Sequence, residues 1–338
     1  MEKTRKNRKI SLAEVASAAG VSKMTASRVL RDQGGFSSHT RQRVLAEVER
    51  LGYLPNRLAT VFAGDKRSTI VGVSIPDLGN EIFAQVLEGI DSKLGALAHQ
   101  TVLGMTQQAA DEEERWIETV LSWQPAGLIV TGRSHSLRAT EMLRSSGLPV
   151  VEIWDLNSSP LDMCVGLNHF DSGYAMGRHL VGKGYRRLGY VGSAHNAGGA
   201  ASARLSGFRR AVEDGGANLA RDLVLQDVPS FYPGFFGTEQ ILASVPDIDA
   251  IFYQNDNLAM GGLQYCTRRG MRVPDDIGIA GWGGLPILSV LECQITTIKV
   301  RHMRLGALAA EALLDALDGK PAHRVIDVGF RLVPGSTT

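Results

Sequence analysis

Between Ser22 and Arg28 the chain reads Ser22-Lys23-Met24-Thr25-Ala26-Ser27-Arg28, a run of hydroxyls and cations around one long apolar side chain. Ser22 is placed to cap a helix running to about Leu30, with Val29 and Leu30 as its packing face. An earlier helix is signalled by Ser11-Leu12-Ala13-Glu14, which fits a capping box. Leu12, Val15, Ala16 and Ala19 then lie on one face, and Gly20 ends it. Two helices joined by so short a turn leave Lys23, Met24, Thr25, Ser27 and Arg28 pointing outward, placed for the major groove of a duplex. An αα-corner inside an enzyme would give the same pair. A third element argues against that: Ser37 or Ser38 caps a helix through Arg41, Val44, Leu45, Val48 and Leu51, closed by Gly52, so three helices enclose a small core.

The elements that must carry these residues differ in charge from the rest. Residues 1–62 hold 12 Lys/Arg against 5 Asp/Glu, a balance of +7, which leaves 24 against 30, or −6, for residues 63–338. A small basic module is drawn to phosphate by counterion release, whereas an acidic remainder is not. After the third helix comes Tyr53-Leu54-Pro55-Asn56-Arg57-Leu58-Ala59-Thr60-Val61-Phe62-Ala63-Gly64. Pro55 ends the preceding structure and Asn56 can cap a further turn or two, but so short a helix is marginal in water without DNA and a partner subunit.

From Ser68 onward short β-branched runs alternate with amphipathic stretches. The expected strands are Ile70–Ile75, Thr101–Met105, Gly127–Thr131, Val150–Ile153, Cys164–Leu167, Leu188–Val191, Ala250–Tyr253 and Ile277–Gly281. The expected helices are Phe83–Leu97, Glu112–Ser122, Tyr174–Gly182, Arg204–Glu213 and Leu258–Arg269. This is a doubly wound α/β pattern, long enough for two lobes of five or six strands, with crossovers near Leu161–Leu167 and Thr296–Val300. A ligand belongs where the strand carboxyl ends of the two lobes face each other. Arg133 and His135 follow the strand ending at Thr131, at the mouth of that cleft or as a solvated loop pair. Phe83, Trp154, Phe231 and Trp282 can wall the cleft, or serve as plain core.

Composition closes off other classes. No apolar run approaches the roughly 20 residues of a membrane span, and the basic start leads into no secretory h-region, so a soluble, cytoplasmic, nucleoid-associated protein is expected. Cys164, Cys266 and Cys293 are odd in number and far apart, which indicates core thiols rather than disulfides or a zinc site. Neither metal nor cofactor is expected. No Ser-His-Asp order, P-loop or GxGxxG stretch supports an enzyme.

The stretch Leu12-Ala13-Glu14-Val15-Ala16, Ala19-Gly20-Val21-Ser22, Thr25, Ser27-Arg28-Val29-Leu30, Arg41, Leu51-Gly52-Tyr53, Pro55-Asn56 and Ala59 resembles the LacI/GalR family of repressors. The likeness runs on to Gly329-Phe330-Arg331-Leu332 and so covers nearly the whole chain. It implies a helix-turn-helix domain over residues 1–55, a hinge helix and linker over 56–67, and a two-lobed, periplasmic-binding-protein-like domain over 68–338 that binds effector and dimerises. It implies that Lys23, Met24 and Arg28 read bases, while Ser22, Thr25, Ser27, Asn56 and Arg57 contact the backbone or orient the helix, with Ala59 in the hinge. Arg28 can pair bidentately with guanine, and Lys23 with a base or a phosphate. Where the family carries a leucine wedge in the minor groove this chain has Phe62, which can still unstack a base step; the alternative is that Phe62 packs under the sensor domain.

For the effector, the resemblance implies that Arg204 grips the ligand and that Gln254-Asn255-Asp256 stands at the strand-end asparagine site; Asp256 itself reads as a helix cap rather than a ligand. The alternative for Arg204 is a helix-face salt bridge. Gly283-Gly284 replace an aspartate common in members that bind neutral sugars, and Asn168 stands where another aspartate is frequent. Fewer carboxylates and an extra guanidinium favour an anion. The segments Leu121-Ser122-Trp123, Gly127–Thr131 with Arg133-Ser134-His135, Val150-Val151-Glu152 and Val328-Gly329-Phe330 with Pro334-Gly335 look most like the gluconate-utilisation repressors. The expected effector set is therefore Phe83, Thr131, Arg133, His135, Asn168, Arg204, Phe231, Asn255 and Trp282, around gluconate, ketogluconate or 6-phosphogluconate. The alternatives are a neutral sugar or nucleoside, or a corepressor. A homodimer on a palindromic double-stranded operator is expected, with no leucine heptad for a tetramer.

Overall fold

The computed structural model describes residues 10–54, 68–107, 109–156, 159–194, 199–227, 230–321 and 323–338. The expected hinge contacts Asn56, Arg57, Ala59 and Phe62 lie outside the described residues. The chain divides into two compact units, Met1–Ser68 and Thr69–Thr338.

In the first unit, α1 (Leu12–Ala18) opens on the capping box of Ser11 and Glu14. Helix α2 (Lys23–Arg31) is capped by Ser22, and α3 (Ser38–Leu51) by Ser37. Gly20 and Gly52 both take left-handed φ, of 62° and 63°, the conformation that a Cβ penalises. Gly20 also leaves room for the Arg43 guanidinium, which donates to the Ala19 carbonyl. Val15, Ala16, Ala19, Ala26, Val29 and Val44 form the core, with Leu12, Val48 and Leu51 packed around them. Full burial of each valine contributes about 1.5–3 kcal/mol, enough to fix the angle between the helices in so small a unit.

The second unit holds two six-stranded sheets. The first has the order β11-β5-β4-β3-β1-β2, from β1 (Ile70–Ile75), β2 (Gln100–Met105), β3 (Gly127–Thr131), β4 (Val150–Asp155), β5 (Met163–Leu167) and β11 (Val325–Asp327). The second has the order β12-β10-β9-β8-β6-β7, from β6 (Arg187–Ser193), β7 (Asn218–Leu225), β8 (Ala250–Tyr253), β9 (Gly278–Gly283), β10 (Thr296–Val300) and β12 (Phe330–Val333). All pairings are parallel except β10 with β12. The sheets are flanked by α4 (Glu81–Leu94), α5 (Ala110–Ser122), α6 (Leu137–Ser145), α7 (His169–Gly182), α8 (Gly199–Asp214), α9 (Phe231–Ser244), α10 (Asp256–Arg268) and α11 (His302–Leu317).

The chain passes between lobes three times. The segments expected to be crossovers are β5 and β10, strands within the sheets whose following residues cross; the third passage, between β11 and β12, was not expected. Three helices and four strands lie beyond the expected elements: α6, α9, α11, β7, β10, β11 and β12. Helices α7 and α8 begin five residues earlier than their apolar periodicity indicates, at His169 and Gly199. The early turn of α7 brings His169 beside Arg204. Cys164 and Cys266 are buried as expected, whereas Cys293 is only half-buried.

Candidate functional sites: a recognition helix and a cleft

The exposed face of α2 is built by its cap. The Ser22 hydroxyl accepts from the Thr25 amide at 3.0 Å and lies 2.9 Å from the Thr25 hydroxyl, so both residues hold the first turn in place. The Ser27 carbonyl accepts from Arg31 Nε at 3.3 Å. Lys23, Met24 and Arg28 project from this turn, Met24 being 69% exposed. Among the described residues the side chains of Lys23 and Arg28 have no hydrogen-bond or ion-pair partner. Ala26 and Val29 sit on the opposite, buried face. Two unpaired cations with no carboxylate between them, on the first turns of a helix, suit phosphate and base edges alike.

The second site lies where strand ends of the two lobes meet. Arg204, on α8, is buried with its guanidinium carbon 4.1 Å above the Trp282 ring. It is brought there by close packing of α8 on α7, for a Cβ on Gly173 would collide with the Arg204 carbonyl. Arg204 Nη1 donates to His169 Nδ1 at 3.1 Å, and His169 Nε2 donates to the Trp154 carbonyl at 3.1 Å. That chain fixes the neutral tautomer of His169. Burial, and then the Arg204 charge, hold its pKa well below the ordinary imidazole value. Burial also lowers Arg204 itself to about 10. Its Nε is buried with no partner among the described residues.

Trp154 closes the aromatic wall. It lies 5.1 Å from Phe83, 5.9 Å from Trp282 and 5.6 Å from His302, the last nearly parallel at 16°. Its φ of 93° is left-handed, a conformation costing a bulky residue on the order of 1–3 kcal/mol and found where surrounding packing imposes it. Asp155, next in β4, is buried, and burial raises its pKa against the opposing pull of Arg133 and Arg204. Arg133 reaches the N-terminus of α8, its Nε 3.9 Å from where a Cβ on Gly199 would stand.

The glycine pair at the end of β9 has a local cause. Asp256 is not the α10 cap; Asn255 is, its side-chain Oδ1 accepting from the Leu258 amide at 2.9 Å. The Asp256 carboxylate instead accepts from the amides of Gly284 and Leu285, at 2.6 and 2.9 Å, and from the Thr297 hydroxyl at 2.6 Å. Burial lifts its pKa to about 6 against these three bonds. Gly283 and Gly284 turn there with φ of 130° and 75°, values that L side chains rarely adopt. A carboxylate-bearing residue does not fit this turn.

Of the expected effector residues, Phe83, Arg204 and Trp282 converge on one cage with Arg133 at its mouth. Thr131 ends β3 with its hydroxyl donated to the Ser74 carbonyl at 2.7 Å. Three others stand apart. Asn168 is exposed and caps α7, accepting from the Asp171 amide at 3.1 Å. The His135 side chain is enclosed by Glu113 at 2.9 Å and Glu152 at 3.7 Å. Burial alone would pull its pKa down, but these carboxylates carry it to about 9, so it is a buried cation already neutralised. Phe231 is half exposed and lines a groove of about 370 Å³ with Tyr232, Phe235, Phe236, Met260 and Arg268. His169, His302 and Asp155 were not expected. The signal was present, since His169 and His302 directly follow two of the crossovers, at the strand ends where a ligand belongs.

A profile described as bacterial regulatory proteins, lacI family, matches residues 11–56, and one described as a periplasmic binding protein-like domain matches residues 178–338. The chain is 34% identical over 327 residues to the HTH-type transcriptional regulator GntR of Escherichia coli, covering 96% of this chain and 98% of that one. It is 34% identical over 339 residues to the regulator of the same name from Pseudomonas aeruginosa, covering 99% and 97%. A solved LacI-family transcriptional regulator from Silicibacter pomeroyi superposes with a TM-score of 0.91 at 35% identity, over 97% of this chain and 99% of that one.

Proposed function

Because the chain belongs to the LacI family of bacterial regulatory proteins, which are DNA-binding transcriptional regulators rather than enzymes, we propose that it is a repressor released from a palindromic operator by a sugar acid. In this reading residues 1–55 carry the recognition unit, 56–67 the hinge and 68–338 the sensor. Lys23, Met24 and Arg28 meet the major groove, and Asn56, Arg57, Ala59 and Phe62 serve the minor groove between half-sites.

The observation that carries the effector reading is the buried Arg204, stacked on Trp282 with its Nε donor unused. An unmade buried bond costs about 1–3 kcal/mol, more for a charged group, and a ligand carboxylate or phosphate restores it in charge-assisted form. Two guanidiniums, Arg133 and Arg204, act on the Asp155 carboxylate, while Glu152 lies against His135 and the Asp256 carboxylate is taken up by the β9 turn amides and Thr297. The likeness to the gluconate-utilisation subgroup, and relatives carrying the name GntR, point the same way. Lobe closure around such an anion would couple to the hinge through the subunit contact, with a coupling typically of about 1–3 kcal/mol.

A homodimer is supported by the exposed aromatic surface of α9, which lies beside Met260 and Arg268 of α10. Tyr232 is 77% exposed beside Phe231 and Phe236, a contiguous apolar patch of the kind that marks an interface. A two-fold dimer presents two copies of α2, hence a palindrome. Calorimetry of the full-length protein against D-gluconate, 2-ketogluconate, 6-phosphogluconate and neutral hexoses tests the effector. Binding confined to the acids is expected; binding confined to neutral hexoses would overturn the anion reading.

A further inference from the structure

His302 is the first residue of α11, where the chain re-enters the first lobe after β10. Its side chain is buried, 1% exposed. The ring stacks on Trp154 and lies 6.5 Å from Trp282, the ring that also carries Arg204. His302 Nε2 lies 2.9 Å from the Gly283 carbonyl oxygen. A carbonyl can only accept, so Nε2 holds the proton and Nδ1 presents a lone pair. That Nδ1 has no partner among the described residues, although it is buried. The neutral form is enforced by burial, which lowers the pKa of this imidazole to about 4.

The cage thus contains two unused and complementary groups, the Nε–H donor of Arg204 and the Nδ1 acceptor of His302. An orphaned acceptor in a tryptophan-lined site is costly to maintain. The turn that His302 holds is the one where Asp256 bonding and positive φ at Gly283 and Gly284 exclude a carboxylate-bearing residue. We infer that His302 is a specificity-determining residue, its Nδ1 accepting a hydrogen bond from a hydroxyl of the bound acid at the edge of the cleft where Gly283 brings no carboxylate. The inference rests on the sugar-acid reading above and assigns one ligand hydroxyl to one atom. A neutral imidazole recognises a hydroxyl without adding a negative charge, which leaves the acid end to Arg204.

The test uses the full-length protein, D-gluconate and its monodeoxy analogues, by calorimetry. His302→Gln keeps a donor for the Gly283 carbonyl while removing the Nδ1 acceptor. It should weaken gluconate binding about tenfold. One monodeoxy analogue should lose the same factor on the wild type and bind His302→Gln no more weakly than gluconate does. Equal gluconate affinity in variant and wild type, or additive losses for variant and every analogue, overturns the assignment while leaving the effector reading intact. Failure of the wild type to bind any sugar acid overturns that reading and this inference together. Should the variant melt well below the wild type, histidine ¹⁵N resonances of the wild type decide instead. The His302 Nδ1 signal should move toward a hydrogen-bonded acceptor on saturation with gluconate, and an unmoved signal refutes the role.

Discussion

Lys23, Met24 and Arg28 stand exposed on α2, the two cations with no hydrogen-bond or ion-pair partner among the described residues, whereas Arg204, His169 and His302 are sunk among tryptophans and bonded largely to one another or to main chain. The difference follows from what each site must exclude. A polyanion surface is recognised in water, where affinity comes from released counterions and a fixed helix needs only a cap and a small core beneath it. A small polar ligand must be distinguished from water itself. Its receptor therefore holds buried groups with one valence unspent, each desolvated in advance and costly until filled. Readers on the surface are cheap to present and easily altered; readers in the cleft depend on several neighbours.

The largest expected effect is at Arg204. Arg204→Leu removes one partner of a buried charged network, which costs about 2–5 kcal/mol of ligand binding, while operator affinity without effector stays within about twofold. Gluconate titration by calorimetry, paired with operator binding by fluorescence anisotropy, checks it; equal loss in both would erase the separation between the two sites. On the recognition helix, Arg28→Ala should cost about 1–3 kcal/mol and relax the preference at one base pair. Lys23→Ala, if that ammonium meets a phosphate, should lower the salt slope by about one with little change in base preference. Competition binding across single-base operator variants at several salt concentrations separates the two outcomes.

Inside the first lobe, the charge of His135 is spent on Glu113 and Glu152. Its folded pKa of about 9 lies above the ordinary 6.5. The stabilisation is therefore complete below about pH 6.5 and lost as pH rises through about 9. His135→Gln should be about 1–3 kcal/mol less stable than wild type near pH 6, with the gap closing toward pH 10. Urea unfolding at the two pH values measures this; a gap that does not depend on pH would mean that His135 is held neutral. The smallest effect is expected at the α2 cap, where Ser22→Ala should cost about 1 kcal/mol of first-unit stability. Thermal melting followed by circular dichroism is the check.

The same contrast explains what could be read in the sequence. Ser11, Ser22, Ser37, Gly20 and Gly52 punctuate the first unit by local rules, and the structure uses each of them as a cap or turn. Strands β1, β3 and β8 follow from continuous apolar runs with the bounds expected. Edge strand β7 carries Arg221 and Asp222 toward solvent, so no apolar run announced it, and α9 is rich in Gly and aromatics rather than in helix formers. Arg204 and Trp282, both singled out from the sequence, stack on one another, but His135 is enclosed by two glutamates from α5 and β4, which no local pattern reveals. His302 reaches the Gly283 carbonyl only through the third dimension, where β9, β10 and α11 meet, so its proposed role had no local signal.

The property proposed for this chain is the coupling of an exposed DNA reader to a buried acid sensor. It is tested most directly by selecting duplexes from a random pool with the full-length protein and titrating D-gluconate into the selected complex. Palindromic winners are expected, bound with a steep salt dependence and released as gluconate saturates the cleft. Selected duplexes without two-fold symmetry, or a complex untouched by saturating gluconate while the cleft binds it, would contradict it.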